Sequence, residues 1–317
     1  MLVYIARRIL LTLPIAIGVS LVCFALIHLA PGDPLSAVLP EGASSEVIAR
    51  VREAYGFDRP LPVQYLIWLK HVLVGDFGTS IITRRPVTAE LAPAIANTMA
   101  VAAVAVVIGF AAGIVMGCVS GYRIGKPADR LVSTIALSGV AIPHYWLGMV
   151  LIVVFGVQFN ILPTSGMGDG GIGSLFTTWN GFLHLLLPAV TLSVIPASII
   201  ARSVRGAVAE VLKQDHIQTL YAKGLAPTRV FRHVMKNALA TLLALMGLQF
   251  AQLLGGSILV ETVFAWPGTG FLLNTAIFTR DLPLLQGIIL ALAMMFVVIN
   301  LFVDVLQTVV DPRIKRI

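Results

Sequence analysis

Residues 98–121 read TMAVAAVAVVIGFAAGIVMGCVSG and contain no Asp, Glu, Lys or Arg. An α-helix rises 1.5 Å per residue, so a helix over this run would be about 36 Å long. The hydrocarbon core of a bilayer is about 30 Å thick. The run therefore predicts a helix that crosses a membrane.

The rest of the chain repeats this pattern. Of 317 residues, 58% are hydrophobic and 12% are charged, against roughly 25% charged in a soluble domain. Further uncharged runs occupy 9–32, 131–168, 170–201, 237–260 and 282–303. This composition excludes a cytosolic enzyme and predicts an all-α polytopic membrane protein with about six transmembrane helices.

The expected transmembrane helices form one transmembrane domain over residues 1–317. They span about 9–30, 98–121, 132–158, 184–201, 238–260 and 284–306. Pro143, Pro188 and Pro196 interrupt the two middle runs, so a count of four or five is the alternative. Both runs are counted, because neighbouring helices can satisfy the carbonyl that a proline leaves free.

The Lys and Arg residues predict the orientation, because positive loops stay in the cytoplasm. Seven of the 22 Lys and Arg fall in the segments expected outside: Arg50, Arg52, Arg59, Lys70, Arg84, Arg85 and Arg280. The others cluster at both termini and in two loops on the opposite side. We therefore expect cytoplasmic termini, an external segment at 31–97 and a cytoplasmic loop at 202–237. The pI near 9.7 follows from this topology, and nucleic acid is not an expected partner.

The cytoplasmic loop 202–237 differs from the other loops in its apolar spacing. Val204, Ala207, Val208 and Val211 recur at helical intervals, which predicts an amphipathic continuation of the fourth membrane helix. A short second helix precedes Gly224, and a third amphipathic piece leads into the fifth membrane helix. The loop is thus expected to form a helix, a short crossing helix and another helix.

Motifs for catalysis or metal binding are not found in the sequence. The nearest approach to a phosphate-binding loop, residues 121–127 (GYRIGKP), has three residues between its glycines and proline where Ser or Thr must bind magnesium. The membrane runs hold few ionisable groups, whereas ion-coupled carriers usually hold carboxylates near the midplane. We expect a transport subunit that is not an enzyme, has no cofactor of its own and needs an external energy source. A stand-alone secondary carrier or channel is the alternative.

The sequence allows two interpretations for each of two features. The polar residues of the membrane runs either line a pathway or pack and bridge helices; they are His144, Gln249, Gln252 and Ser257. The apolar and aromatic segment 61–70 either lies in the membrane interface or forms a cap on the outer helix ends.

Seven short motifs occur along the chain in a fixed order. They are residues 4–8 (YIARR), 31–34 (PGDP), 75–80 (GDFGTS), 215–225 (DHIQTLYAKGL), 233–239 (HVMKNAL), 261–270 (ETVFAWPGTG) and 280–283 (RDLP). In these motifs the chain resembles, over essentially its whole length, the first permease subunits of the dipeptide, oligopeptide and nickel class of ATP-binding-cassette (ABC) importers.

The resemblance implies a type I ABC importer permease of a bacterial or archaeal cytoplasmic membrane. It also implies the partners: a homologous second permease, two ATPase subunits that hold ATP and Mg, an extracytoplasmic binding protein, and the lipid bilayer. Short peptides are the leading cargo; nickel chelates, glutathione and sugars stay open.

The resemblance also assigns residues to the partners. Those expected to couple to the ATPase are Asp215, Ile217, Leu220, Tyr221, Ala222, Lys223 and Gly224. Those expected to meet the binding protein are Glu261, Trp266, Pro267 and Gly268. Leu220, Tyr221 and Thr241 depart from the residues usual in the family.

Overall fold

The computed structural model describes residues 2–29, 46 and 58–310. Most of the predicted external segment before residue 58, including the motif at 31–34, lies outside the described residues, as does the basic C-terminal tail. Within the described ranges the regular structure is helical, apart from an isolated β-bridge between Thr79 and Pro86.

The described helices follow the predicted apolar runs and add short helices between them. In chain order they are α1 (Leu2–Leu29), α2 (Leu61–Leu73), α3 (Val87–Tyr122), α4 (Pro127–Ala141), α5 (His144–Leu151), α6 (Gly171–Ser174), α7 (Trp179–Leu212), α8 (Asp215–Ala222), α9 (Pro227–Val263), α10 (Thr269–Thr279) and α11 (Leu282–Val310). A π-helical segment, Ile152–Gln158, continues directly from α5.

Three helices of the described chain are long and apolar enough to cross a membrane: Val87–Tyr122, Trp179–Leu212 and Leu282–Val305. The bent pair Pro127–Ala141 and His144–Gln158 would make a fourth if it acts as one span. The structure is therefore that of an all-α polytopic membrane protein, and the number of six crossings stays a prediction.

The predicted helix over 132–158 is broken at Pro143. The helices on either side of the break are bent by 101°. Ile142 has φ −82° and ψ 125°, the extended conformation that the ring of a following proline imposes. Pro188 and Pro196 do not break α7, so of the three prolines noted in the sequence only Pro143 ends a helix.

The described chain divides into two compact units, and α1, α3 and α11 contribute residues to both. In the larger unit, which includes residues 99–266, four glycines of α3 lie against α7 at four-residue intervals. A Cβ at Gly113 would approach Ala197 O to 2.7 Å, and one at Gly117 would approach Val204 Cβ to 2.5 Å. Small residues at this spacing let two membrane helices approach closely.

The smaller unit contains residues 5–98 and 267–298, in so far as they are described. Its apolar core joins the start of α3 to α10 and α11, through Val87, Leu91, Ala276, Leu284 and Ile288. The start of α11 is therefore fixed by packing as well as by the polar contacts described below.

Candidate coupling loop and membrane cavity

The short helix α8 is held between the end of α7 and the start of α9. Ile217 is fully buried there. The buried side chains around it come from both long helices: Ile200, Val204, Val208, Val211, Val230, Val234, Ala238 and Leu242. The predicted arrangement of a helix, a short crossing helix and another helix is present in the structure, and Ile217 anchors the crossing piece.

Ile217 and Leu220 are among the residues that the resemblance assigns to ATPase coupling. In the structure Ile217 faces the core of its own chain, and Leu220 packs on the edge of that core. The other residues that the resemblance assigns to the ATPase are exposed: Asp215, Tyr221, Ala222, Lys223 and Gly224. Tyr221 is 44% exposed and is the large apolar side chain that α8 offers to the outside.

The end of α8 is fixed by hydrogen bonds that require a left-handed residue, a conformation that glycine adopts readily. Gly224 N–H donates to Tyr221 O at 2.9 Å, and Leu225 N–H donates to Leu220 O at 3.2 Å. Gly224 has φ +71°. This is a Schellman motif, in which a left-handed residue closes the helix end. The sequence predicted a short helix that precedes Gly224.

Gly224→Val is expected to strain this turn. A Cβ at Gly224 would meet no atom within 4 Å, so the cost is the left-handed backbone itself, about 1–2 kcal/mol. Gly224→Asn is the control, because Asn tolerates this conformation. We expect the Val variant, in the assembled transporter, to show lower substrate-stimulated ATP hydrolysis than the Asn variant. Equal stimulation would show that the turn geometry does not matter.

An ion pair in the larger unit joins the buried Asp129 to Arg205, whose side chain is 36% exposed. Asp129, in the first turn of α4, accepts hydrogen bonds from Arg205 Nε at 2.6 Å and Arg205 Nη2 at 2.9 Å. The Ser120 hydroxyl and the Gly125 N–H also donate to this carboxylate. The Arg205 hydrogen bonds, followed by the other two donors, hold the pKa of Asp129 well below its usual range. The cluster joins the end of α3, the start of α4, and α7.

A small cavity of the larger unit contains three of the four polar residues proposed from sequence to line a pathway. His144, Gln249 and Gln252 contribute to its wall, with Pro196 and Gly256 among the others. Gln249 Nε2 donates to Gln252 Oε1 at 3.0 Å, while Gln252 itself is exposed. The His144 Nε2 atom is buried without a hydrogen-bond partner.

Ser257 does not line this cavity. Its side chain is fully buried, and its hydroxyl donates to Leu254 O of the same helix at 2.9 Å. The structure therefore gives Ser257 a packing environment. The cavity wall also includes apolar residues that were not singled out from the sequence: Leu192, Ile195 and Leu253.

The four residues expected to meet a binding protein differ in exposure. In the larger unit, Glu261 is 1% exposed and Trp266 is fully buried. In the smaller unit, Pro267 is exposed and Gly268 is buried, and Asn97 Nδ2 donates to Pro267 O at 2.8 Å. Direct contact with a partner is therefore open to Pro267, and the other three lie inside the folded chain.

The first turn of α11 contains a polar contact that the sequence interpretation missed. Asp281 is fully buried, and the buried Ser80 hydroxyl donates to its Oδ2. Leu284 N–H donates to Asp281 Oδ1 at 3.3 Å, which makes Asp281 the N-cap of α11. The contact joins the motifs at 75–80 and 280–283. Both motifs were identified in the sequence, but their contact was not predicted from it.

Comparisons with known proteins cover nearly the whole chain. Residues 1–102 match the family described as "Binding-prot-dependent transport system membrane comp, N-term". Residues 109–316 match "Binding-protein-dependent transport system inner membrane component". The boundary between the two matches falls within α3.

Three curated relatives align end to end. The dipeptide transport system permease protein DppB of Alkalihalophilus pseudofirmus is 40% identical, over 99% of this chain and 100% of that protein. A probable peptide ABC transporter permease protein of Sinorhizobium fredii and the glutathione transport system permease protein GsiC of Salmonella typhimurium are each 38% identical, over 99% of both chains.

The fold also matches a solved structure. A chain of the MetNI methionine ABC transporter, in an inward-facing conformation, aligns with a TM-score of 0.56 and 22% identity over 68% of this chain and 93% of that one. At this identity the match speaks for the fold alone. The two family matches and the relatives of 38–40% identity show that the chain belongs to the inner membrane components of binding-protein-dependent transport systems, the permease subunits of ABC importers.

Proposed function

We propose that this chain is the first permease subunit of an importer for short peptides. The curated relatives named above are dipeptide, peptide and glutathione permeases, and glutathione is itself a tripeptide. The chain would pair with a homologous permease, receive substrate from an extracytoplasmic binding protein, and draw energy from two ATPase subunits that hold ATP and Mg.

The position of α8 carries this proposal. Ile217 is fully buried between two long helices, so a force on the exposed side of α8 reaches α7 and α9 without first deforming a loop. An ATPase groove that receives Tyr221 and Lys223 would contact side chains that the chain leaves exposed. Burying an aromatic ring at the centre of such a contact is a common source of binding energy.

The cavity beside α5 supports a pathway through the larger unit. Its wall combines apolar side chains with the His144 ring and the Gln249 and Gln252 amides. Small-solute sites are commonly built this way, with a few polar groups that orient a ligand within an apolar wall. A peptide bond carries one donor and one acceptor, which a neutral imidazole and an amide can match.

The orientation belongs to the same proposal. With both termini cytoplasmic and six crossings of a bacterial or archaeal cytoplasmic membrane, α8 would face the ATPases and Pro267 the binding protein. The asymmetric distribution of Lys and Arg supports this orientation.

The test uses the complete transporter in proteoliposomes, with its binding protein, ATPases and a labelled dipeptide. We expect uptake that requires ATP and that unlabelled di- and tripeptides reduce by competition. Uptake that persists without ATP, while an ion gradient is maintained, would favour the stand-alone carrier. ATP-dependent uptake that peptides do not reduce would overturn the cargo assignment and keep the ABC mechanism.

Tyr221→Asp tests the docking surface in the same assay. The substitution places a charge where an aromatic ring is expected to be buried by the ATPase, which costs several kcal/mol unless the charge is paired. We expect at least a tenfold loss of co-purified ATPase and of uptake. Tyr221→Phe keeps the ring and is the control. If the Asp variant retains its ATPase and transports normally, the exposed side of α8 is not the docking surface.

A further inference from the structure

The exposed side of α2 is apolar, although the helix lies outside the predicted transmembrane segments. Leu66 is 62% exposed and Leu73 is 77% exposed. Val63 and Val74 extend the same apolar side, at 40% and 76% exposure. Lys70 is the single Lys, Arg, Asp or Glu between Leu61 and Leu73. A helix bathed in water normally shows polar residues on its exposed side, so this surface needs a different environment.

The opposite side of α2 rests on α1 through aromatic contacts. The rings of Tyr65 and Trp68 lie 5.5 and 5.8 Å from the Phe24 ring, measured between centroids. Tyr65 Oη and Ser20 Oγ are 2.8 Å apart, within hydrogen-bond distance. These contacts place α2 beside the segment of α1 between Ser20 and Phe24.

The depth of that segment follows from α11. Gln286 Nε2 donates to Cys23 O at 3.3 Å, so Cys23 lies level with Gln286. Gln286 is five residues beyond Asp281, the N-cap of α11, which corresponds to about 7 Å along the helix axis. The apolar membrane-length span of this helix begins at Leu282. The aromatic side of α2 therefore lies several ångströms inside the end of a membrane-spanning helix.

The depth and the length of α2 fit a helix that lies in the membrane interface. Helices that lie in the plane of a membrane interface bury their apolar side about 5–10 Å below the headgroups. The 13 residues of α2 give a length of about 20 Å, too short to cross the ~30 Å hydrocarbon layer. Trp and Tyr are enriched at this level, and a lysine beside an apolar surface can extend its ammonium group to the headgroups.

The part of α1 that α2 contacts also has an exposed apolar surface. Leu21 and Val22 are 46% and 61% exposed, within the same stretch of α1 that α2 contacts. The sequence predicts that α1 crosses the membrane, and a helix that does so presents such residues to acyl chains. The exposed side of α2 would then extend an apolar surface that faces lipid.

We propose that α2 is an interfacial helix whose exposed side, with Leu66 and Leu73 at its centre, binds the phospholipids of the leaflet at the start of α11. The occupant is the acyl and glycerol region of the lipid, and Lys70 reaches the phosphates. α2 contacts Ser20 and Phe24 of α1, and Ser80, in the segment after α2, contacts Asp281 of α11. These contacts would hold the external part of the chain at a fixed membrane depth. The proposal does not depend on which solute is transported.

The test is spin labelling of the complete transporter in phospholipid vesicles. A nitroxide is attached to Leu66→Cys, and its relaxation is measured with oxygen, which concentrates in lipid, and with a water-soluble nickel chelate. The signal of the parent protein, which carries Cys23 and Cys118, is subtracted. Val22→Cys serves as the lipid-exposed control and Ile82→Cys, at a site 58% exposed, as the control outside the helices.

We expect the Leu66 label to be accessible to oxygen and at least fivefold less accessible to the nickel chelate than the Ile82 label. High accessibility to nickel would mean that α2 lies in water, and low accessibility to both reagents would mean that another protein covers it; either result overturns the proposal. Leu73→Cys repeats the measurement independently, in case a label at Leu66 prevents assembly.

Discussion

Asp129→Ala is expected to lower the stability of the transporter clearly. The variant leaves Arg205 without the carboxylate that accepts its Nε and Nη2 hydrogen bonds at 2.6 and 2.9 Å. It also removes the acceptor of Ser120 and Gly125. Ser120 is fully buried, so its hydroxyl is left without this acceptor; the Arg205 side chain is 36% exposed, so water partly replaces the carboxylate there. We expect a clear fall in the unfolding temperature of the purified transporter and less assembled complex.

A double-mutant cycle separates the pair from its surroundings. If the two groups stabilise the fold mainly through each other, Asp129→Ala with Arg205→Ala should cost less than the sum of the two single substitutions. Asp58→Ala is the matched control, because Asp58 and Arg59 form an exposed pair at 3.7 Å, and such pairs contribute little. Equal losses at Asp58 and Asp129 would contradict the structural role of the Asp129–Arg205 pair.

The pH dependence of Asp129→Asn has a defined direction. The pKa of Asp129 is lowered in the folded protein by its hydrogen bonds to Arg205, so the stabilisation is complete above the ordinary carboxyl pKa of about 4. It is lost only as the pH falls through the lower, folded-state pKa. The difference in unfolding temperature between wild type and Asp129→Asn should therefore stay constant from about pH 8 to pH 5.

The sequence predicts the helices of this protein well. In a membrane every backbone N–H and C=O group needs a partner within the protein, and a helix of apolar residues supplies one along its whole length. Each uncharged run identified in the sequence falls largely on helix in the described chain. The break at Pro143 was also foreseeable, since its ring restricts Ile142. Pro188 and Pro196 carry the same local signal, yet α7 continues through both. Tertiary packing therefore decides which prolines end a helix.

Partners of buried side chains could not be predicted in the same way. Periodicity shows that one side of α8 is apolar, but it does not say whether that side packs on another protein or, as Ile217 does, on the chain's own helices. Asp129 and Arg205 are 76 residues apart, and Ser80 and Asp281 are 201 apart. No local pattern joins such pairs; they meet because helices that are distant in sequence pack together.

The glycine contacts of α3 against α7 lead to the second prediction. Gly117→Ala would bring a Cβ to 2.5 Å from Val204 Cβ and 2.6 Å from Ala201 O. Backbone and a β-branched side chain cannot rotate away, so the two helices must separate. Overpacking of this kind typically costs about 1–3 kcal/mol, and we expect a corresponding fall in the unfolding temperature of the purified transporter.

Gly206→Ala is the matched control, because the same substitution is expected to leave stability unchanged or to raise it. Gly206 lies on the exposed side of α7, and a Cβ there would meet no atom within 4 Å. Alanine favours a helix over glycine by roughly 0.5–1 kcal/mol, so this variant should be as stable as wild type or slightly more stable. At Gly117 the same gain in helix propensity is present but is outweighed by the clash with Ala201 and Val204. A stabilised Gly117→Ala variant would therefore mean that α3 and α7 do not approach as closely as these distances require.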